Sequence, residues 1–401
     1  MRFRGFTEAW EQRKLGEVSE SYSGGTPSVG VKEYYGGQIP FIRSAEINSE
    51  TTELFLTEEG LKNSSARLVA VGDILYALYG ATSGEVGRAR LKGAINQAIL
   101  AIKPNTDYDS KYLAQWLRKS KHSIIETYLQ GGQGNLSGAI VKELSADFPS
   151  LKEQKTIGDF FRQLDNLTTL HQRKYDKFVA TKKALIEKIF PKKASNVPQL
   201  RFKGYESPWQ NKTLGKIGTT YTGLSGKTKD DFGHGEARFV TYVNVFKNPI
   251  ADVNGVDFVE IDASQNIVKN GDVLFTTSSE TPEEVGMSSV WLGDTENTYL
   301  NSFCFGYRLF SSEKIDPLYL AYLLRSPEIR KEFQFLAQGI SRYNISKTKV
   351  MDIVISVPED YEEQVKIGKL FYNLDMLIEL TQKKYEKLES LKKAMLNKMF
   401  V

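Results

Sequence analysis

The sequence predicts an α+β fold made by internal duplication: two pseudo-symmetric α/β globular units separated by two long antiparallel coiled-coil helices. One observation is a 38-residue segment, 153–190, that aligns without a gap with 363–400 and is identical to it at 18 positions. Another is that RFRGFTEAWEQRKLGEV (2–18) recurs as RFKGYESPWQNKTLGKI (201–217). A repeat period of about 200 residues exceeds that of solenoid proteins. The pattern therefore indicates two domain-sized copies fused in one chain, like a homodimer.

The repeats predict five segments along the chain. They are a first globular unit at 1–150, a first long helix at 151–190, a linker at 191–200, a second globular unit at 201–358 and a second long helix at 359–401. Pro191 and Pro198 lie in the linker, where proline stops the first helix and keeps the chain extended.

Each globular unit mixes strands with one long helical stretch. Alternating and β-branched runs bounded by Gly, Asp and Asn predict strands at 38–47, 72–79, 95–104, 237–245, 271–278 and 301–310. Helical periodicity followed by a glycine-containing loop predicts helices at 110–130 and 317–338.

The long segments carry apolar residues every three or four positions, as in an amphipathic helix with a heptad-like seam. At ~1.5 Å per residue each helix is about 55 Å long. A single apolar stripe on such a helix needs a partner, and the matching stripe of the other copy supplies one. We expect the seam of this antiparallel pair to contain Ile157, Leu164, Leu167, Ile367, Leu374 and Leu377.

The composition excludes several classes of protein. With 401 residues, 40% of them hydrophobic, the chain is able to form two or three cores. No run approaches 18 apolar residues and the N-terminus has no apolar h-region, so we expect a cytoplasmic protein without a membrane span. The single cysteine and three scattered histidines argue against disulfides and metal sites. The net charge of +4 is compatible with a nucleic-acid partner.

Catalytic motifs are missing from the sequence. GLSGKTK (223–229) is not a P-loop, because Tyr221 stands where that loop requires its first glycine. Neither Gly-x-Ser-x-Gly nor His-Glu-x-x-His occurs. DPLY (316–319) is the nearest string to the Asn-Pro-Pro-Tyr loop of an adenine methyltransferase, and its position predicts a helix N-cap instead. We therefore predict no catalytic residue, no metal site and no cofactor bound by this chain.

Four motifs occur in order: RFKGY…W…LG, a GTP…IPFI strand, GD(I/V)L, and P…EQ…IG…F…LD…L…Q…KY…LKKA. The first, third and fourth recur with small changes in both halves. In these motifs and in the paired helices, over essentially its whole length, the chain resembles the specificity (S) subunit of a type I restriction-modification enzyme.

The resemblance implies that each globular unit is a target recognition domain for one half of a bipartite target in double-stranded DNA. The helices would be the conserved spacer and would dock two modification (methyltransferase) subunits. The chain itself would have no activity. S-adenosylmethionine, ATP and Mg would bind the partner subunits, which methylate adenine, and restriction subunits, which translocate and cleave DNA, would complete the complex.

The helices are similar in the two copies while the interiors of the globular units barely align, so the units are expected to perform different recognition tasks. Polar and basic residues in loops after strands are the candidates for bases and phosphates. In the first unit they are Thr26, Ser28, Arg43, Ser44, Tyr79, Thr82, Ser83, Arg88, Gln133 and Asn135. In the second they are Lys227, Lys229, Tyr242, Asn244, Thr277, Ser278, Ser279, Arg342, Tyr343 and Asn344.

Two other interpretations fit the duplication. A stand-alone sequence-specific DNA-binding regulator with twin domains would need no modification subunits. A twin ligand-binding or enzyme scaffold would act on something other than DNA. Binding to random duplex at low and high salt distinguishes the latter, and co-purification with a methyltransferase distinguishes the former.

Overall fold

The computed structural model describes residues 1–129, 135–192 and 195–400. The chain divides into two compact units. The first unit comprises Met1–Gln172 together with Lys383–Val401, and the second comprises Arg173–Gln382. Each long helix therefore contributes one end to each unit.

The described part of the first unit contains three small sheets. An antiparallel four-stranded sheet has the spatial order Ser19–Ser23, Ile99–Pro104, Ile74–Ala77 and Val86–Arg88. A mixed four-stranded sheet has the order Phe55–Leu56, Tyr35–Ile42, Gly93–Ile95 and Arg67–Val69. A two-stranded ribbon joins Glu11–Lys14 to Ser145–Phe148.

Its main helix is Ser110–Leu129, of 20 residues. Short helices are Leu15–Val18, Glu58–Lys62 and Gly138–Glu143, with 3-10 turns at Lys32–Tyr34, Ser44–Glu46 and Gly80–Thr82. The strand Ile74–Ala77 is buried at every position. Such a strand is covered on both faces, which explains its continuous apolar run. Its rigid end positions the loop that follows it.

The second unit repeats this arrangement. An antiparallel four-stranded sheet has the order Gly218–Thr222, Cys304–Leu309, Val273–Thr276 and Ser288–Val290. A three-stranded sheet has the order Val256–Val259, Phe232–Val240 and Thr298–Leu300. Two-stranded ribbons join Gln210–Thr213 to Val354–Val357 and Ser278–Ser279 to Tyr343–Asn344.

The short helices of the second unit are Leu214–Ile217, Tyr242–Lys247, Pro317–Leu323, Pro327–Leu336 and Lys347–Val350, with a 3-10 turn at Lys229–Asp231. In each unit the two larger sheets follow the same order of corresponding strands. The prediction of an α+β fold with duplicated units is confirmed.

Two predicted elements of the second unit are wrong. The strand predicted at 237–245 ends at Val240, because the Thr241 side chain accepts a hydrogen bond from Asn244 N and caps a helix. The helix predicted at 317–338 is divided into two by Pro327, which lacks an N–H and disfavours helical geometry in the residue before it. The corresponding helix of the first unit is continuous.

The long helices are Leu151–Ile189 and Tyr361–Met399, each of 39 residues. In the first unit Ile157 and Leu164 share a buried core with Met399 and Phe400. In the second unit Ile367 and Leu374 share a core with Ile189 and Phe190. Within each unit the start of one helix thus packs beside the end of the other, which is antiparallel packing.

Leu167 and Leu377 do not belong to these buried faces, since they are 44% and 41% exposed. At about 100° per residue, a position ten residues after Ile157 is rotated by roughly 80° from it, whereas the eleventh returns to within about 20°. Thr168 occupies that eleventh position and is buried. The prediction included Leu167 and Leu377 because each lies three residues after a seam leucine. The buried face instead follows the 3.6-residue helical repeat.

Candidate nucleic-acid interface

The same backbone bridge joins two predicted loops in each unit. In the first unit Tyr79 pairs with Asn135, and Leu136 N donates to Leu78 O at 3.0 Å. In the second unit Ser278 pairs with Asn344. The structure therefore brings together two loops that the sequence analysis selected separately. One follows the central strand, Ile74–Ala77 or Val273–Thr276, and the other follows the helix Ser110–Leu129 or Pro327–Leu336.

The neighbouring hydrogen bond is equivalent too. Ile345 N donates to Thr277 O at 3.0 Å in the second unit, as Leu136 N does to Leu78 O in the first. Gln338 and Asn344 exchange two backbone hydrogen bonds of 2.9 and 2.8 Å, which close residues 339–343 into a tight loop. Gly339 at the start of this loop has φ +143°, a value that L side chains rarely adopt. The backbone thus holds Arg342 and Tyr343 beside the central strand.

A cleft of about 510 Å³ lies against this bridge in the second unit. It is lined by Tyr242, Phe246, Ser278, Ser279, Glu280, Glu284, Ser341 and Arg342. Four of these residues belong to the predicted set. Sequence reasoning missed the two glutamates, although Glu280 directly follows the Thr-Ser-Ser stretch that it selected.

Hydrogen bonds organise the walls of this cleft. Tyr242 Oη donates to Ser278 O at 2.7 Å, and burial raises the pKa of this phenol. Arg342 Nε donates to Ser278 Oγ at 3.3 Å, and its guanidinium lies 5.7 Å from the centre of the Phe303 ring. Such contacts orient a planar fork of N–H donors while leaving several of them available.

Some predicted contact residues are buried and support the fold instead. Asn244 is buried, and its amide holds a turn through hydrogen bonds of 2.8 Å to Asp252 O and Gly255 O. Ser83 is also buried, and its hydroxyl donates to Leu78 O at 3.3 Å. Both predictions of DNA contact are corrected, since a polar loop residue satisfies buried backbone groups as readily as it contacts a ligand.

Ser278 and Ser279 are likewise largely buried, although both line the cleft. Their hydroxyls orient the charged side chains of the cleft: Ser279 Oγ donates to Glu284 Oε2 at 3.1 Å. Thr277 contributes backbone bonds, one of them from Thr277 N to Phe303 O at 2.8 Å. The three residues therefore position the cleft rather than presenting free polar groups.

Arg43 in the first unit is occupied by two carboxylates. Its guanidinium lies 2.8 Å from Glu46 and 2.7 Å from Glu53, and these hydrogen bonds raise the pKa of Arg43. Burial raises the pKa of Glu46, but hydrogen bonds from the Arg43 side chain and from the backbone of Arg43 and Glu53 outweigh it and lower that pKa to about 2. Arg43 is therefore a clamp for its own loop.

Arg88 has a comparable structural role. Its side chain donates to Gly72 O and Ser110 Oγ, both at 3.3 Å, and burial lowers its pKa. In the second unit Lys227 lies 2.9 Å from Asp262 and is neutralised by it. These three basic residues belong to the predicted set, and all are paired within the fold.

The remaining predicted residues lie at the surface or close to it. Exposed members are Thr26, Ser28, Tyr79, Asn135, Lys229, Arg342 and Asn344, and partly exposed members are Ser44, Thr82 and Tyr343. Thr26 Oγ1 donates to Gln97 Oε1 at 2.7 Å, and Thr82 Oγ1 donates to Tyr79 O at 3.3 Å. Gln133 lies outside the described residues.

A second duplicated site joins each globular unit to the start of a long helix. Arg2 makes a bidentate pair with Glu153 at 2.8 and 2.5 Å, and Arg201 does so with Glu363 at 2.7 and 2.8 Å. Both glutamates are almost fully buried, at 1% and 0% exposure. A buried carboxylate needs such a partner to offset its desolvation.

The glutamine of each Glu-Gln pair completes the junction. Gln154 accepts from Asp109 N at 2.9 Å and donates to Pro149 O at 2.8 Å. Gln364 accepts from Asp316 N at 2.9 Å and donates to Pro358 O at 2.9 Å. Asp316 also caps the following helix by accepting from Tyr319 N, so the prediction of an N-cap at this position is confirmed.

The far end of the opposite helix closes each junction. In the first unit the Phe400 ring packs on Tyr112 and Phe161, with centroid separations of 5.1 and 5.9 Å. In the second unit Phe190 packs on Tyr319 and Phe371 at 5.7 and 5.6 Å. The terminal phenylalanine of each repeat thus has the same task in both units.

The aspartate of each Leu-Asp pair binds a lysine from the opposite helix. Asp165 pairs with Lys392 at 2.7 Å and accepts from Gln115 at 2.9 Å. Asp375 pairs with Lys182 and accepts from the Tyr322 hydroxyl at 2.9 Å.

Neither a metal site nor a membrane span is present in the described parts of the chain. Among residues 1–129, 135–192 and 195–400, no group of three or more His, Cys, Asp or Glu side chains is placed to hold a metal ion. Within the same residues no helix combines the length and the hydropathy that crossing a bilayer requires.

Comparison with known proteins assigns the chain to a family. The model of the type I restriction modification DNA specificity domain matches residues 7–178 and 206–390. The type I restriction enzyme MjaVIII specificity subunit of Methanocaldococcus jannaschii is 24% identical over 409 residues, which cover 97% of this chain and 92% of that protein. The MjaIX specificity subunit of the same organism is 30% identical over 166 residues, or 39% of this chain and 38% of that protein.

A solved structure shows the same fold. The S subunit of a type I restriction-modification system from M. genitalium superposes with a TM-score of 0.59 at 16% sequence identity, covering 100% of this chain and 97% of that chain. The two family matches fall on the two copies of the duplication and together span most of the sequence. The chain therefore belongs to the family of type I restriction-modification DNA specificity subunits.

Proposed function

We propose that this chain is the non-catalytic DNA-recognition subunit of its type I complex, and that each unit recognises one half of a bipartite target. The long helices set the distance between the half-sites and dock two modification subunits. Those partners bind S-adenosylmethionine and methylate adenine, and restriction subunits using ATP and Mg join the same core.

The observation that carries the proposal is that the two units share a backbone bridge but differ in the side chains around it. Tyr79–Asn135 and Ser278–Asn344 are equivalent pairs, yet the loops around them carry different side chains. Residues 79–82 are Tyr-Gly-Ala-Thr, and residues 278–281 are Ser-Ser-Glu-Thr. A common frame with different side chains suits the recognition of two different base sequences.

The junctions support the docking of two copies of one partner. Both halves repeat the buried Arg–Glu pair, the glutamine bonds and the terminal phenylalanine contact. Because two similar surfaces bind two similar partners in a two-fold arrangement, the repeated helices are suited to two modification subunits.

Mapping methylated adenines in a host genome with and without the chain tests the proposal. We expect a chain-dependent motif made of two half-sites at a fixed separation. Replacing residues 2–150 with the same unit of a relative is expected to change one half-site and leave the other. A swap that changes both half-sites, or neither, would contradict two independent recognition units.

Spacing is tested separately from recognition. Inserting one turn, about 5.4 Å, into both long helices is expected to widen the gap by roughly two base pairs at about 3.4 Å each. The half-site sequences should stay the same. An unchanged gap would show that the helices do not set the spacing, and co-purification of the chain without a methyltransferase would favour a stand-alone regulator.

A further inference from the structure

The cleft of the second unit presents opposite charges that do not neutralise each other. Arg342, Glu280 and Glu284 all line it. In the described part of the second unit no ion pair joins the guanidinium to either carboxylate. Unpaired donors and acceptors in one cleft are suited to a ligand that presents both kinds of group.

Buried serines hold these charges in place. Arg342 Nε donates to Ser278 Oγ at 3.3 Å, and Ser279 Oγ donates to Glu284 Oε2 at 3.1 Å. Both serines are largely buried, so each fixes one polar atom of a charged side chain, Nε of Arg342 and Oε2 of Glu284. The other guanidinium N–H groups and the second carboxylate oxygen are left for a ligand. Tyr242 closes one side through its hydrogen bond to Ser278 O.

The described residues of the first unit do not carry the same pair of carboxylates. Residues 72–87 and 271–286 align without a gap, so Ala81 corresponds to Glu280 and Glu85 to Glu284. Glu85 is paired with Lys121. When residues 107–121 are aligned with 314–328, the counterpart of Lys121 is Glu328, which cannot pair with Glu284 as a lysine does. The carboxylate is thus neutralised in one unit and available in the other.

The chemistry of the cleft excludes the DNA backbone as its ligand. Two carboxylates repel phosphate, so a surface built for the backbone would not place them beside the one arginine. Base edges are different: an arginine fork fits the O6 and N7 acceptors of guanine, and a carboxylate accepts from the N4 amino group of cytosine. These groups lie side by side on the major-groove edge of a G·C pair.

We propose that the cleft recognises a G·C pair in the half-site of the second unit, with Arg342 donating to guanine and Glu284 or Glu280 accepting from cytosine. This inference rests on the proposed function, since it names the base pair that one unit selects. The serine contacts make Ser278 and Ser279 positioning residues.

The test uses the chain co-expressed with its modification subunits. Methylated-adenine motifs are mapped for the wild type and for Arg342→Gln, Glu280→Gln and Glu284→Gln, with Glu296→Gln as a control that removes an exposed carboxylate outside the cleft. We expect Arg342→Gln to lose the guanine requirement at one position of one half-site. Glu284→Gln or Glu280→Gln should lose the cytosine requirement at that pair or the adjacent one.

Competition between duplexes that differ only at that pair gives the size of the effect. Wild-type discrimination of about 5- to 150-fold is expected to fall towards unity in the variants and to persist in Glu296→Gln. Arg342→Lys keeps the charge but not the fork, so it too should lose discrimination.

The other half-site is the internal control, because its persistence shows that each variant complex is folded and active. A second half-site without a G·C pair, or variants that leave the motif intact, would overturn the inference while the proposed function stands. The absence of any chain-dependent motif would overturn both.

Discussion

The two helix junctions agree bond for bond, whereas the two loop edges share a backbone bridge and differ in nearly every side chain around it. At the junctions a buried carboxylate, Glu153 or Glu363, restricts its partner position to a cation, because a neutral or acidic residue there would leave the buried charge unpaired. At the loop edges the side chains reach water, so substitution costs the fold little. The side chains at the loop edges are therefore able to differ between the two units, whereas those at the junctions are not.

The segment after the parallel strand also keeps the same backbone position in both units while the side chain differs. Ile42 pairs with Ile95 in the first unit as Val240 pairs with Leu300 in the second. Four residues after these strand ends stand Glu46 and Asn244, and each holds its turn by hydrogen bonds to backbone. The residue that holds the turn is a charged glutamate in the first unit and a neutral asparagine in the second.

The largest effect is expected at the junctions. Arg201→Ala removes the bidentate partner of Glu363, whose side chain is fully buried, and is expected to lower the free energy of unfolding by about 3–5 kcal/mol. Arg2→Ala should act similarly through Glu153. Hydrogen exchange followed by mass spectrometry along a urea titration reports the two units separately.

The matched control is an exposed pair in the same chain. Lys14 and Glu143 lie 2.7 Å apart with side chains 50% and 66% exposed, so Lys14→Ala is expected to lower the free energy of unfolding far less than Arg201→Ala does. If Arg201→Ala costs no more than this control, the junction is not the rigid element that the comparison requires.

A smaller effect is expected from the glycines of the long helices. A Cβ on Gly368 would lie 2.6 Å from Tyr319 N, and one on Gly158 would lie 2.7 Å from Asp109 Oδ1. Alanine is therefore expected to destabilise either unit by about 1–3 kcal/mol, although Gly→Ala inside an ordinary helix stabilises by about 1 kcal/mol.

Hydrogen exchange in urea measures whether each alanine lowers or raises the free energy of unfolding. Gly30→Ala is the control, since a Cβ there would meet no atom within 4 Å. Stabilisation by Gly368→Ala would show that the helix does not approach the globular unit as closely as the junction geometry indicates.

Arg43 and Arg342, two of the predicted arginines, should differ in DNA binding. Arg342→Ala is expected to cost about 1–3 kcal/mol on the cognate duplex. Arg43→Ala should cost much less, because Glu46 and Glu53 already occupy its guanidinium. Titration of a labelled duplex with the purified complex measures both.

Lys229 provides the contrasting case of a backbone contact. Lys229→Ala is expected to weaken binding to all DNA sequences alike and to reduce by about 1 the slope of log K against log salt concentration.

An equal loss of DNA binding in Arg43→Ala and Arg342→Ala would mean that Arg43 leaves Glu46 and Glu53 when DNA binds.

The smallest effect is a dependence on pH confined to the first unit. The Glu46 pKa falls from 4.5 to about 2 in the folded state. The carboxylate therefore contributes stability that is present above pH 4.5 and lost as pH falls towards 2. Glu46→Gln should lower Tm at pH 6, and the difference from wild type should shrink at pH 3.

Circular dichroism melting at both pH values measures this. Glu20→Gln removes an exposed carboxylate of the same unit and should leave Tm nearly unchanged at each pH. A difference between wild type and Glu46→Gln that grows on acidification would contradict the assignment of the clamp.

Much of the fold was accessible from the sequence because its signals are local or repeated. The buried strand at Ile74–Ala77 is a continuous apolar run, and Asp316 precedes a proline and a helical period as N-caps do. The break at Pro327 was also visible in principle. It was missed because the apolar period continues across it, and the continuous helix of the first unit suggested the same for the second.

The site was less accessible, since a polar loop residue has the same local signature whether it faces solvent or the interior. Asn244 and Arg342 both lie in polar segments that the sequence predicts as contact loops, although Asn244 belongs to the helix Tyr242–Lys247. One is buried by a turn whose partners are Asp252 and Gly255, and the other is exposed on a closed loop. Local sequence carries no signal that separates these two outcomes.

By itself the sequence determined the duplication, the two long helices and the positions of the variable loops, because periodicity, turn residues and self-similarity are properties of the chain alone. Only the tertiary structure decided which groups meet. Glu153 finds Arg2 across 151 positions and Glu363 finds Arg201 across 162. Buried charges must be paired, but their partners are chosen by packing, which brings together residues that are distant in sequence.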